Sequence, residues 1–163
     1  LPDARDTPHS RNVATSPHLQ PLERNESAVC PPGPLSFRLP AADASAAEAR
    51  RHVRRQLPQW GACADTCDTA QLVISELVTN VLRHTGSTAV RCELRPIGGL
   101  VRIAVAGEGP GPRHTPRAAD MDDESGRGLL LVCTLATRWG VRPWDGGRGH
   151  VVWADLRLDG AGG

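Results

Sequence analysis

Lysine and tyrosine are absent from this chain of 163 residues, and phenylalanine and methionine each occur once. All 19 basic residues are therefore arginine. Any cationic side chain that meets a phosphate here is a guanidinium, a planar fork that keeps its charge. The formal net charge is only +1. So small an excess gives no long-range field toward nucleic acid or an anionic membrane, and neither is expected as a partner. No apolar run approaches the roughly 20 residues of a membrane span, and the start of the chain lacks the apolar centre of a signal peptide. A cytoplasmic protein is expected. The cysteines are Cys30, Cys63, Cys67, Cys92 and Cys133. Their odd number, without a secretion signal, argues against a disulfide framework. Cys63 and Cys67 have the spacing of half a zinc site, but no second such pair exists. Reduced, partly buried thiols are expected.

Seven of the 14 prolines fall within residues 1–34, which show no hydrophobic period and read as a disordered tail. From Leu35 the pattern changes. Leu35-Ser36-Phe37-Arg38-Leu39 alternates as an edge strand does, and Pro40 ends it. An Ala/Arg-rich helix follows to Leu57, capped by Asp43 or Ser45. A long helix then runs from Thr66 or Asp68 to His84, with Gly86 as its stop. Residues 89–95 and 100–106 alternate and pair as an antiparallel hairpin across Pro96-Ile97-Gly98-Gly99.

Beyond Ala106 the chain reads Gly107-Glu108-Gly109-Pro110-Gly111-Pro112, then stays polar to Ser125. That is too long for an ordinary connection and suits a lid or binding loop. Gly126-Arg127-Gly128 opens a third helix from Leu129 to Thr137, and strands near 138–144 and 151–158 close the domain. The expected fold is an α+β two-layer sandwich over 35–158, with about five strands in a mixed sheet covered on one face by three helices. Residues 159–163 are expected as a flexible end.

The stretch from Leu72 to Thr85 carries the most information. It is an apolar helix with one polar line, Glu76, Asn80 and His84 at i, i+4 and i+8. A carboxylate and an amide within such a run cost stability unless something satisfies them, as a metal with phosphates would. A buried Glu held by Arg83 or a backbone group is the plainer reading of Glu76. His84 reads as a helix-end residue that favours the dipole. The glycines before Leu129 allow a close approach to backbone N–H groups, which attract anions at a helix tip.

Three phrases together resemble a known family. They are Ser75-Glu-Leu-Val-Thr-Asn-Val-Leu-Arg-His84, Glu124-Ser-Gly-Arg-Gly-Leu-Leu-Leu-Val132 and Val152-Trp-Ala-Asp-Leu156. The chain resembles the ATP-binding (Bergerat-type) domain shared by histidine kinases, Hsp90-type chaperones, gyrase and MutL. Within that group it resembles the anti-sigma-factor serine kinases of the SpoIIAB/RsbW type. The resemblance implies ATP and Mg²⁺ as cofactors, with Asn80 holding the metal and Glu76 as catalytic base. It implies a nucleotide site of Asn80, Gly107, Gly109, Gly111, Ser125, Gly126, Arg127, Gly128 and Leu129. It also implies serine/threonine kinase activity on an anti-anti-sigma partner, control of a sigma factor, and a homodimer.

Two positions depart from the family's pattern. The family has Asp at the start of the first glycine turn, where it accepts the adenine amine; this chain has Gly107. The family has Thr two residues before the tryptophan of the last strand, and its hydroxyl supports that Asp; this chain has Val151. A carboxylate–amine bond is worth about 1.5–3 kcal/mol, so its loss weakens ATP roughly ten- to a hundredfold. A non-catalytic module that sequesters a sigma factor or other regulator is therefore the second expectation.

Overall fold

A computed structural model of the protein describes residues 33–109 and 124–159. The proline-rich stretch to Pro32, the segment 110–123 expected as a lid, and residues 160–163 lie outside the described residues, so the tail and lid expectations fall there.

Five strands and three helices follow in the order β1 (Leu35–Pro40), α1 (Ser45–Gln56), α2 (Ala64–His84), β2 (Ala89–Ile97), β3 (Leu100–Glu108), α3 (Glu124–Leu135), β4 (Arg138–Trp144) and β5 (Gly149–Arg157). The sheet order is β1-β2-β3-β5-β4. The α+β class, the five strands and the three helices are as expected. The expected mixed pairing is not: all four neighbouring pairs are antiparallel. The β2–β3 and β4–β5 pairs are hairpins, α1 and α2 lie between β1 and β2, and β5 enters the sheet between β3 and β4, antiparallel to both.

Alternation sorts the sheet into two faces. Val90, Cys92, Leu94, Val101, Ile103, Val105, Val152, Ala154 and Leu156 share one buried cluster with the helices. On the opposite face Ala104, Ala106 and Val151 form a small second cluster with Trp153. There Arg102 lies over the Trp153 ring at 4.2 Å. A Cβ on Gly140 would stand 2.8 Å from the same indole, so a glycine lets the ring lie flat on β4.

Helix α2 forms because Ala70, Val73, Ile74, Leu77, Val78 and Val81 recur at helical spacing and are all fully buried against the sheet. Burying one such aliphatic side chain contributes about 1.5–3 kcal/mol. The helix begins at Ala64, before the expected Thr66. Cys63 takes the cap position, its sulfur accepting from the Thr66 N–H. Thr66 turns inward instead, and its hydroxyl donates to the Arg157 carbonyl at 2.9 Å, tying the helix start to the end of β5. Strand β2 continues through Pro96, which has no N–H to offer a ladder. That is tolerated because β1 pairs only as far as Leu94, leaving Pro96 a neighbour on one side alone. No described helix is long and apolar enough to cross a membrane.

Candidate functional site

Helix α2 presents Glu76 and Asn80 one turn apart. Glu76 is half-buried and Asn80 is 5 % exposed. His84, the third member of the polar line, is exposed, so the line leaves the interior at its end. Asn80 Oδ1 is shut off from solvent and has no hydrogen-bond partner among the described residues. Buried side-chain acceptors are nearly always paired, so such an atom invites a donor or a cation.

The end of β3 lies against the last turns of α2. A Cβ on Gly107 would overlap the Val81 methyl Cγ1 and stand 3.2 Å from Ser87 Oγ and 3.5 Å from Thr85 Cγ2. The absence of a side chain at 107 is therefore filled by Val81. A short polar chain fixes this corner. Thr85 Oγ1 donates to the Val81 carbonyl at 2.6 Å and lies 2.8 Å from Ser87 Oγ. The Glu108 N–H donates to that same Ser87 oxygen at 2.7 Å. Gly109 follows with φ of 88°, a left-handed conformation that suits glycine, and its N–H donates to the Arg148 carbonyl at 2.8 Å.

Across the sheet, Gly107 pairs with His150 on β5. Directly opposed residues share a face, so His150 belongs to the helix-covered side together with Val152. It is 2 % exposed. Its Nδ1 lies 3.1 Å from the Gly109 carbonyl oxygen, and its Nε2 is buried with no partner among the described residues. Val151 is placed differently from expectation. It clusters with Ala104, Ala106 and Trp153 on the other face, so it does not reach the Gly107 corner. The position that faces that corner is 150.

Helix α3 supplies the third wall. It starts at Glu124, two residues before the glycines expected to open it. The four free N–H groups of a helix tip are its first. They therefore precede Gly128 and Leu129, whose amides fall within the intrahelical ladder. Leu129 is 3 % exposed, and its side chain packs into the main core. Gly128 has another part to play: a Cβ there would stand 2.5 Å from Glu76 Oε2, so the glycine makes room for that carboxylate. The site expected from sequence thus places Glu76, Asn80, Gly107 and Gly109 around the end of α2 and its neighbours. The backbones of Ser125, Gly126 and Arg127 lie in the first turn of α3, and Gly111 falls outside the described residues. Val81, Thr85, Ser87 and His150 were not singled out by the sequence pattern. Only the buried register of His150 opposite Gly107 reveals it.

Magnesium is a hard cation that takes oxygen ligands and keeps several waters. An amide oxygen with no other partner fits that demand, and Asn80 would hold such an ion together with nucleotide phosphates. Among the described residues no three His, Cys, Asp or Glu come together as a metal cluster.

An apolar helix carrying Glu and Asn, laid against the end of an antiparallel sheet and faced by a glycine-marked helix, is the layout of an ATPase-type domain. Residues 39–155 match the family described as histidine kinase-like ATPase domain, and the chain belongs to that family. Over 72 residues it is 39 % identical to an uncharacterized protein of Streptomyces coelicolor, SCO4941, covering 42 % of this chain and 68 % of that one. Among solved structures it is similar to the RsbU and RsbW domains of Rv1364c from Mycobacterium tuberculosis. That match has a TM-score of 0.56 at 23 % identity over 78 % of this chain. The chain spans 33 % of the length of that protein, and the likeness concerns the fold. A blue-light-activated histidine kinase from Erythrobacter litoralis EL346 matches with a TM-score of 0.45 at 24 % identity, over 60 % of this chain and 32 % of that one.

Proposed function

We propose that this domain binds ATP with Mg²⁺ and works as a regulatory serine/threonine protein kinase of the anti-sigma type in the cytoplasm. Its partner on this reading is a regulatory protein, either a sigma factor or an anti-anti-sigma factor, and the active form is a homodimer. The observation that carries the reading is Asn80 Oδ1, a buried acceptor with no partner among the described residues, one helical turn from a half-buried Glu76. Family membership supports the nucleotide.

Bound Mg²⁺ supplies charge neutralisation between phosphates. Asn80 fixes where that charge sits. On this reading Glu76, held on α2 beside Gly128, accepts the proton of an incoming serine hydroxyl. The contact of Thr85 with Ser87 and the bond from the Glu108 N–H to Ser87 tie the end of β3 to the end of α2, beside Gly107.

A second reading is favoured by two specific observations. Val81 occupies the space beside Gly107, and the amides of Gly128 and Leu129 are spent inside α3. On that reading the fold sequesters a protein partner without turnover. Calorimetry with ATP and Mg²⁺ separates the two. The kinase reading expects binding in the micromolar to millimolar range, loss of its magnesium dependence in Asn80→Ala, and retained binding without phosphoryl transfer in Glu76→Gln. No heat at millimolar nucleotide leaves the sequestering module alone.

A further inference from the structure

Asn80 Oδ1 and His150 Nε2 are the two buried side-chain atoms without a partner among the described residues. The metal reading accounts for the first. It leaves the second unused.

The state of the His150 ring follows from its neighbour. Nδ1 faces the Gly109 carbonyl oxygen at 3.1 Å. A carbonyl only accepts, so Nδ1 carries the hydrogen and donates it. In the neutral ring Nε2 is then a bare acceptor. It is closed off from water in a residue only 2 % exposed, and it lies on the sheet face shared with Gly107. A buried acceptor of this kind costs stability until a donor meets it. Meanwhile, position 107 contributes no side-chain acceptor, and Val81 fills the space beside it.

We propose that Nε2 of His150 reads the six-position of a bound purine, accepting a hydrogen bond from an exocyclic amine. This deepens the nucleotide-binding reading and rests on it. A six-amino purine satisfies the orphan nitrogen. A six-oxo purine sets a carbonyl oxygen against it, acceptor facing acceptor. Selection of the base thus moves from the end of β3 to β5, and the Gly109 carbonyl acts as the positioning group that holds the tautomer.

The test uses ATP and ITP, which share ribose and triphosphate and differ at the six-position of the base and in the hydrogen that ITP carries on the neighbouring N1. Their affinities are measured with Mg²⁺ on the full chain and on His150→Ala, with inorganic tripolyphosphate as a third ligand. The wild type should prefer ATP by about tenfold, the size of one net hydrogen bond. In His150→Ala that preference should collapse, with ATP weakened and ITP unchanged or tightened as the facing acceptor is removed. A variant that keeps the preference overturns the proposal. Should the variant fail to fold, the ¹⁵N resonances of the wild-type ring decide: bound ATP should shift Nε2 and bound ITP should not. An Nε2 resonance unmoved by bound ATP overturns it equally. If ATP and ITP bind alike, this inference falls and the nucleotide reading stands. If neither they nor tripolyphosphate binds, the nucleotide reading falls and takes this one with it.

Discussion

The carboxylate of Glu76 lies against Gly128 of α3, where a Cβ would stand 2.5 Å from Oε2 and 3.6 Å from Cδ. Helices α2 and α3 are thereby coupled at the one residue proposed as a base. Gly128→Ala separates the base's position from the fold's stability. In a helix interior, alanine is favoured over glycine by about 1 kcal/mol, and a carboxylate end swings aside easily. The melting temperature should hold or rise. Phosphoryl transfer, which depends on where that oxygen sits, should fall tenfold or more, with ATP affinity within about threefold of wild type. Transfer at the wild-type rate in a folded Gly128→Ala protein removes Glu76 from the chemistry.

Gly107 and Val81 form a second matched pair. The family's carboxylate cannot simply be restored at 107, because the new Cβ overlaps the Val81 methyl. Gly107→Asp alone should destabilise by about 1–3 kcal/mol through overpacking. Adding Val81→Ala should return 1–2 kcal/mol of that loss as a coupling between neighbours, on the order seen for residues in contact. The double variant should also tighten ATP roughly tenfold. Urea unfolding and calorimetry on the two singles and the double check this. Strictly additive stabilities contradict the contact. Val151→Thr, on the opposite face, should leave ATP affinity unchanged.

How much of this was legible in the sequence follows from what periodicity can carry. The apolar spacing from Ala70 to Val81 and the alternation of Val101, Ile103 and Val105 each point to one element and one buried face, and the structure agrees. The polar line of Glu76 and Asn80 was legible for the same reason, since two polar residues at helical spacing inside an apolar run stand out. Boundaries were less so. Thr66 has the side chain of a helix cap, yet a cysteine takes that place while Thr66 bonds across to Arg157. Long-range register was illegible. The face of Val151 depends on which residue of β5 stands opposite Gly107, and only the β3–β5 pairing gives His150 that place. A one-residue change of register moves a side chain to the other face, so counting two residues back from Trp153, as the family resemblance suggests, lands on Val151 and not on His150.

On the open face of the sheet, Asp155 is buried and takes two bonds from Arg102, at 2.7 and 2.9 Å, and a longer one from Arg138 at 3.4 Å. The two arginines are not equivalent. The Asp155 side chain is 2 % exposed, Arg102 30 % and Arg138 66 %. Arg102 also covers Trp153. Removing it strips a buried carboxylate of its bidentate partner, so Arg102→Ala should cost about 3 kcal/mol. Arg138→Ala removes a mostly solvated group and should cost less than about 1 kcal/mol. Equal losses in urea unfolding would show that Arg138 carries as much of the pairing as Arg102.

The thiols offer a graded probe of the same fold. The Cys63 sulfur lies 3.2 Å from the Thr66 hydroxyl and accepts from the Thr66 N–H, and its thiol is held below the usual range. Burial raises Cys67 and Cys133 and pushes Cys92 up to about 12. A lower pKa enlarges the thiolate fraction tenfold per unit below the titration point, while intrinsic nucleophilicity falls by only about half as much on the same logarithmic scale. Cys63 should therefore be alkylated first by iodoacetamide at pH 8, ahead of Cys67 and Cys133. Cys92 adds a second barrier, since its sulfur lies in the core beneath α2 and the reagent reaches it only when the domain opens. Its labelling rate should track the unfolding equilibrium and slow when a ligand binds the native state. Peptide mass spectrometry at timed intervals reads these four of the five cysteines at once. Labelling of Cys92 as fast as Cys63 in the native protein contradicts both the core placement of β2 and the cap at the start of α2.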